Sequence, residues 1–138
     1  MAHRPLIAVV DDDDSVRESL GGLFRSVGFA VQVFPSAADF LISDDLPKTA
    51  CVILDVRMPG MTGLELQRRL GASHRELPVI FMTAHDDAQT RSQALNDGAV
   101  DYLIKPFSEE ALLDAVHAAL NPHNRKGQRH AFPCLRRG

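Results

Sequence analysis

Residues 6–14 of the chain read LIAVVDDDD, a short apolar run that leads directly into four aspartates. The run is rich in branched aliphatic side chains and has no polar alternation, which favours a β-strand buried on both faces. A second run, Cys51-Val52-Ile53-Leu54, is equally apolar and is closed by Asp55. An acid has no packing reason to end a buried strand, so we expect both runs to lead into a polar site.

Further apolar runs recur along the chain, separated by segments whose apolar residues have helical spacing. Strands are predicted at residues 6–10, 29–34, 51–54, 79–82 and 102–104. Helices are predicted at residues 15–27, 36–43, 63–70, 86–96 and 108–120. The polar break at Gln32 is typical of an edge strand.

Three helix ends carry recognisable signals. Ser15, followed three residues later by Glu18, matches a capping box, although Asp14 offers an alternative cap. Gly28 is expected to stop the first helix, and Ser108 is expected to cap the last one.

The strand–helix pattern, repeated five times, predicts a single doubly wound α/β domain with a five-stranded parallel sheet and five helices. The Rossmann order and the flavodoxin-like order 2-1-3-4-5 both suit such a pattern, and five strands favour the second. Ligands then bind outside the carboxyl ends of strands 1 and 3, where residues 11–14 and Asp55 lie.

The chain's 138 residues, 45% apolar and 24% charged, fit one ordinary globular domain. We predict a domain at residues 1–120 and a basic, flexible tail at residues 121–138, because the helical periodicity stops after Leu120. The tail carries five basic residues and no acid, so removing it from the net charge of −3 leaves about −8. An acidic body argues against nucleic-acid binding by the domain itself.

Localisation is predicted from what the sequence lacks. It contains no apolar run of about 18 residues and no secretion signal, so we expect no membrane association. The two cysteines, Cys51 and Cys134, make no disulfide framework and favour a reducing compartment. A cytoplasmic location is therefore expected.

Carboxylates that converge on one crevice repel each other, so they need a cation or retained protons. All-oxygen donors suit a hard ion that keeps several waters, which makes Mg²⁺ the expected cofactor. Asp12 and Asp55 are predicted ligands, Asp11 is predicted to act directly or through water, and the backbone carbonyl of Arg57 can supply a further oxygen. The alternative for the four acids by themselves is a solvated loop that caps a helix.

Two other strand ends are expected at the same crevice. Thr83 closes the fourth predicted strand and can offer a hydroxyl, while Lys105 follows the fifth and can offer a positive charge. A carboxylate nucleophile, a metal, a hydroxyl and an ammonium suit phosphoryl transfer, in which catalysis is mainly positioning and charge neutralisation. We therefore predict that Asp55 attacks phosphorus and becomes an acyl phosphate, with Lys105 and Thr83 holding the phosphoryl oxygens.

The sequence resembles the response-regulator receiver family over residues 6–120. Within it, the amino-acid sequence of residues 83–107 is similar to that of FixJ-type receivers. The matching motifs are Val9-Val10-Asp11-Asp12, Leu54-Asp55-Val56-Arg57-Met58-Pro59-Gly60-Met61-Thr62-Gly63, Thr83-Ala84-His85 and Asp101-Tyr102-Leu103-Ile104-Lys105-Pro106-Phe107. The resemblance implies a CheY-like fold, with Asp55 as the phosphoacceptor for a sensor histidine kinase. It also implies that Asp11, Asp12, Asp55 and the carbonyl of Arg57 hold Mg²⁺, and that Lys105 contacts the phosphoryl group.

The resemblance further implies a switch formed by Thr83 and Tyr102. Phosphorylation would draw Thr83 inward, let Tyr102 turn in behind it and change the surface of helix 4, strand 5 and helix 5. A homodimer through helix 4 and strand 5, and an output in transcription, would follow. Alternatively, Tyr102 is simply packed on an edge strand. Such a domain catalyses its own phosphorylation and dephosphorylation without being a multiple-turnover enzyme.

Arg57 and His85 lie two residues beyond Asp55 and Thr83, and we predict that they tune the lifetime of the phosphorylated state. Three other functions are compatible with parts of the sequence. A metal-dependent phosphohydrolase would use the same acids, and a degenerate receiver would bind partners without phosphorylation. A flavin-binding protein is disfavoured, because four aspartates after strand 1 would repel the flavin phosphate.

Overall fold

The computed structural model describes residues 4–74 and 76–121, in which strands and helices alternate along the chain. The strands are β1 (Leu6–Val10), β2 (Ala30–Phe34), β3 (Thr49–Asp55), β4 (Val79–Thr83) and β5 (Asp101–Ile104). The helices are α1 (Asp14–Ser26), α2 (Ala37–Leu41), α3 (Gly63–Ser73), α4 (Ala88–Asn96) and α5 (Glu109–Leu120). A short 3₁₀ turn, Leu46–Lys48, precedes β3 and has no counterpart in the sequence prediction.

The five strands form one parallel sheet in the order β2-β1-β3-β4-β5, so the predicted 2-1-3-4-5 fold class is confirmed. The three central strands are buried over most of their length, whereas Gln32 and Val33 of β2 are exposed. The prediction that β2 is an edge strand is therefore also confirmed. This order brings the carboxyl ends of β1 and β3 side by side.

Helices cover the two faces of the sheet, and alternate residues of each strand point to opposite faces. On one face, Ile7, Ile53 and Met82 pack with α1 and α5. On the other face, Leu54 and Phe81 pack with α2, α3 and α4. By the same alternation, Asp55 continues the first series, whereas Thr83 and Tyr102 continue the second.

The α4 helix packs on the rest of the domain mainly near its C-terminal end. It buries one residue, Ala94, whose carbonyl accepts a hydrogen bond of 2.9 Å from the buried Nε2 of Gln67 on α3. The Oε1 atom of Gln67 has no hydrogen-bond partner within the described part of the chain. So small a buried face is typical of an element that can shift against its neighbours.

Helix caps correct one sequence prediction. The N-cap of α1 is Asp13, whose carboxylate accepts from the backbone N–H of Ser15, so the predicted capping box at Ser15 is wrong. A capping box does occur at α3, where Thr62 and Glu65 bond each other's backbone N–H groups. Asp13 prevails because its backbone is extended and its carboxylate accepts from the N–H of the second helical residue, as an N-cap does.

Two other predicted helix signals are confirmed. Gly28 follows α1 with φ +99°, a conformation that side chains other than glycine rarely adopt. Ser108 caps α5 by accepting from the N–H of Ala111.

Within the described ranges, no helix combines the length and the apolarity that crossing a bilayer requires. The tail predicted at residues 121–138 lies outside the described residues except for Asn121. The predicted domain boundary at residue 120 therefore stays a prediction.

The start of α3 is packed against the end of β3. Gly63 is the first residue of α3, and its N–H donates to the carbonyl of Val56 over 3.0 Å. A Cβ atom added to Gly63 would lie 2.5 Å from the backbone oxygen of Asp55 and 3.1 Å from the Cα of Val56. Neither atom belongs to a flexible side chain, so any larger residue must displace the end of β3.

We expect Gly63→Ala to lower the free energy of unfolding by about 1–3 kcal/mol through this steric conflict. Gly22→Ala is the matched control, because Gly22 is an exposed residue of α1 whose added Cβ would meet nothing within 4 Å. That control should raise stability by roughly 0.5–1 kcal/mol. Urea denaturation of both variants measures the difference, and equal stabilities would contradict the steric argument.

Candidate functional site

Three acids meet at the carboxyl edge of the sheet. Asp11 and Asp12 follow β1, Asp55 ends β3, and one carboxylate oxygen from each lies within 4.8 Å of the others. Asp11 is fully buried and Asp55 is 8% exposed, whereas Asp12 is exposed. The structure thus brings together the three side chains that the sequence predicts as metal ligands.

Asp11 is held from several directions. Its Oδ1 accepts from the N–H of Asp13 over 2.8 Å, and its Oδ2 accepts from Nζ of Lys105 over 3.3 Å. Its backbone carbonyl accepts from Nη1 of Arg17 over 2.7 Å. Two cations therefore approach this buried acid, one on its carboxylate and one on its backbone.

Arg17 is a site residue that the sequence prediction missed. Its guanidinium also pairs with Asp14, the first residue of α1. A base in the first turn of a helix opposes the helix dipole, which is the sequence signal that could have revealed it.

Asp55 is the acid with the most perturbed titration. Burial, and next the negative charge of Asp11, raise the pKa of its carboxyl from 3.8 to about 6. Lys105 and the backbone N–H of Arg57, which lies 3.4 Å from Oδ1, act against this rise in pKa. Near neutral pH the ionised carboxylate is consequently destabilised, and a bound cation would favour it.

Thr83 and Lys105 lie at the same edge, at the ends of β4 and β5. The hydroxyl of the buried Thr83 accepts from the N–H of His85 over 3.1 Å, which ties it to the loop before α4. Lys105 bonds Asp11, and its positive charge acts on Asp55. The structure thus groups the three acids with Lys105, while Thr83 ends the strand next to β3. Arg57 and His85, two residues beyond Asp55 and Thr83, are exposed.

Tyr102 on β5 is 7% exposed and stands in register with Phe81, with ring centroids 6.2 Å apart. Its hydroxyl is buried and has no hydrogen-bond partner in residues 4–74 and 76–121. Burial, followed by the charge of Asp87, raises the pKa of the phenol. Buried phenol oxygens usually have a hydrogen-bond partner, so this ring is held by packing and not by its hydroxyl.

The donor set fits a hard divalent cation. Three carboxylates supply oxygen ligands, and two of them come from strand ends that the sheet holds in place. Mg²⁺ takes oxygen ligands at about 2.1 Å in octahedral geometry and usually keeps several waters. Such a coordination sphere needs few protein oxygens, which matches this crevice.

Comparisons with known proteins agree with this geometry. The family model described as the response regulator receiver domain matches residues 7–117. Nodulation protein W of Bradyrhizobium diazoefficiens is 47% identical over 116 residues, which are 84% of this chain and 51% of that protein. The transcriptional regulatory protein FixJ of Azorhizobium caulinodans is 43% identical over 122 residues, which are 88% of this chain and 58% of that protein.

Among solved structures, the crystal structure of FixJ-N matches with a TM-score of 0.77 and 34% identity, covering 87% of this chain and 96% of that one. The chain therefore belongs to the response regulator receiver domain family of two-component systems, whose members interact with histidine kinases. Within that family it is similar to FixJ. The chain spans about half the length of the curated relatives it matches.

The raised pKa of Asp55 predicts that the free energy of unfolding depends on pH in a buffer whose divalent metal ions are removed by a chelator. The folded pKa, about 6, exceeds the unfolded value of 3.8, so stability falls as the pH rises through this window. At pH 8 we expect Asp55→Asn to be more stable than wild type by about 1–2 kcal/mol, a figure reduced for solvent access to the crevice.

Urea unfolding between pH 4 and pH 8 checks this prediction. The advantage of Asp55→Asn should shrink steadily below pH 6, because the wild-type carboxyl becomes neutral there. Asp44→Asn, which changes an exposed loop acid, is the matched control. An advantage that stays constant over the whole range would show that Asp55 does not titrate in this window.

Proposed function

We propose that this domain accepts a phosphoryl group on Asp55 from the phosphohistidine of a sensor histidine kinase, in a reaction that requires Mg²⁺. The observation that carries the proposal is the meeting of Asp11, Asp12 and Asp55 beside Lys105 at the carboxyl edge of the sheet. We further propose that the reaction takes place in the cytoplasm, and that the phosphoacceptor unit is the domain at residues 1–120.

Asp12, Asp55 and the backbone carbonyl of Arg57 are the proposed direct ligands of Mg²⁺. Asp11 acts directly or through water, since both of its carboxylate oxygens already accept hydrogen bonds. When bound, Mg²⁺ neutralises charge on the acids and on the phosphoryl oxygens. The hydrogen bond from Arg17 to the backbone carbonyl holds Asp11 without using its carboxylate oxygens.

In the proposed reaction a carboxylate oxygen of Asp55 attacks phosphorus in line with the nitrogen–phosphorus bond of phosphohistidine. The new oxygen–phosphorus bond gives an acyl phosphate, and the electron pair of the broken bond returns to the histidine ring. Lys105 moves its ammonium group from Asp11 towards the phosphoryl oxygens, and Thr83 offers its hydroxyl to another of them. Attack by water later restores Asp55 and releases inorganic phosphate.

The proposed response passes from Thr83 to Tyr102. Thr83 is bonded to the loop that begins α4, and α4 buries little of its surface, so a shift of Thr83 can be passed on to α4. The surface of α4, β5 and α5 is the proposed output, with a homodimer through α4 and β5 on phosphorylation. Relatives described as transcriptional regulatory proteins favour an output in transcription. The acidic charge of residues 1–120 favours a domain that does not itself contact nucleic acid.

A phosphohydrolase would need general acid–base groups around a substrate pocket. A separate pocket of about 420 Å³ lies beside the site. It is lined by Val56, Arg57, Met58, Pro59, Thr62, Leu64 and Thr90. Arg57 is its one titratable side chain and is too basic for that task. The pocket therefore adds no general acid or base to the acids of the site, which supports a phosphoacceptor.

Mass measurement after incubation with Mg²⁺ and a small-molecule phosphodonor tests the function. Wild type and Asp44→Asn should each gain one phosphoryl group, whereas Asp55→Asn should gain none. A gain in Asp55→Asn, or no gain in wild type, would contradict the site assignment. Repeated turnover of a generic phosphate ester would instead indicate the phosphohydrolase.

The lifetime of the phosphorylated state should depend on Arg57 and His85, which are exposed and which we place at the rim of the site, because they follow Asp55 and Thr83 by two residues. Alanine at either position opens the rim to water, so we expect dephosphorylation to become severalfold faster. Arg68→Ala, on the exposed side of α3, is the control and should leave the rate unchanged. The decay of the phosphorylated mass after removal of the donor gives the rates, and unaltered decay in both rim variants would refute the tuning role.

A further inference from the structure

The outer side of the Tyr102 ring is covered by a charged side chain of α4. The guanidinium carbon of Arg91 lies 5.7 Å from the ring centroid, a distance at which a cation is attracted to an aromatic face. Phe81 contacts the ring from the sheet. Tyr102 therefore has both an aromatic neighbour and a cation beside its ring, and it is buried although β5 is an edge strand.

Arg91 is itself anchored. Its Nη2 lies 2.6 Å from Oδ1 of Asp86, although both side chains are partly exposed, at 41% and 62%. Asp86 belongs to the loop between β4 and α4, so this ion pair joins that loop to the fourth residue of the helix. Asp87, the N-cap of α4, fixes the start of the same helix by accepting from the N–H of Gln89.

The loop that carries Asp86 is also the loop tied to Thr83. Thr83 accepts a hydrogen bond from the N–H of His85, which directly precedes Asp86. A continuous chain of contacts therefore runs from Thr83 through this loop to Arg91, and from Arg91 to the face of Tyr102. The contacts give the hydroxyl at the site a physical connection to the aromatic ring on the neighbouring strand.

We propose that Arg91, held by Asp86, is a positioning residue that keeps Tyr102 in its inward position and so sets the balance between inward and outward rings. The proposal rests on the proposed function in assigning the switch to Thr83 and Tyr102. The cover itself is a property of the folded domain and can be measured without phosphorylation. Loss of a partly exposed cation–π contact should raise the outward population about two- to fivefold.

The chain's single tyrosine and its lack of tryptophan make Tyr102 its own reporter. Quenching of tyrosine fluorescence by acrylamide measures the exposure of this one ring. Arg91→Gln removes the cation, Asp86→Asn removes the anchor, and Arg68→Gln is the matched control, an exposed arginine on α3. Circular dichroism and urea midpoints establish that each variant is folded.

We expect Arg91→Gln and Asp86→Asn to increase quenching, and Arg68→Gln to match wild type. Raising salt from about 0.01 M to 1 M shortens the Debye length from about 30 Å to 3 Å, so quenching of wild type should rise as the ion pair weakens. Quenching of Arg91→Gln should then stay constant with salt, which a purely steric role of the side chain would not produce.

Equal quenching in Arg91→Gln, Arg68→Gln and wild type would overturn the proposal. An effect of Arg91→Gln without any effect of Asp86→Asn would overturn the anchoring by Asp86. The proposed function is tested separately, with wild type and the phosphodonor. It fails if neither the mass nor the tyrosine quenching of wild type changes, even when the variants still differ from wild type in quenching. The two failures are therefore distinguishable in one set of proteins.

Discussion

The structure depends on holding carboxylates of like charge close together at the tips of two neighbouring strands. Asp11 is fully buried and Asp55 nearly so, and their repulsion is opposed by Lys105 on one acid's carboxylate and by Arg17 on its backbone. Removing both cations would leave buried charge uncompensated, which strongly destabilises a fold. Burial, and next the charge of Asp11, raise the pKa of Asp55. Because the free carboxylate of Asp55 is disfavoured, groups that remove or neutralise its charge are favoured. A divalent cation does this by coordination, and a phosphoryl group does it by bonding to the carboxylate oxygen.

Most of the fold could be predicted from the sequence, because the strands at the centre of the sheet are apolar on both faces and the intervening segments are not. That contrast located all five strands, and the polar break at Gln32 correctly marked an edge. The end of β3 was placed at Leu54 although the strand includes Asp55, since an acid looks like the start of a loop. The 3₁₀ turn before β3 was missed, because a single turn carries too little periodicity to be recognised. The second helix was predicted at residues 36–43 and is shorter in the structure.

The candidate site was predicted more completely than the contacts that support it. Strand ends in a parallel sheet meet at one edge, so acids, hydroxyl and ammonium could be assigned to one crevice from their places in the sequence. The cap at Asp13 was misassigned because neighbouring acids and a serine compete for the same N–H groups. Arg17 and Arg91 were not found, since each acts on a partner whose position depends on tertiary packing. Gln67 is similar, because only the folded chain shows that its amide reaches the carbonyl of Ala94.

The alternation of side chains along the strands has a consequence for how such a domain can diversify. Asp55 continues the series that faces α1 and α5, whereas Thr83 and Tyr102 continue the series that faces α4. If the proposed function holds, the attacking carboxylate continues one face of the sheet and the switch residues continue the other, and the two series meet at the carboxyl edge, where Thr83 reaches the phosphoryl group. Substitutions on the α4 side can then alter which partner is recognised while the reactive carboxylate keeps its surroundings. The residues that recognise a partner can therefore change in evolution while the residues around Asp55 stay the same.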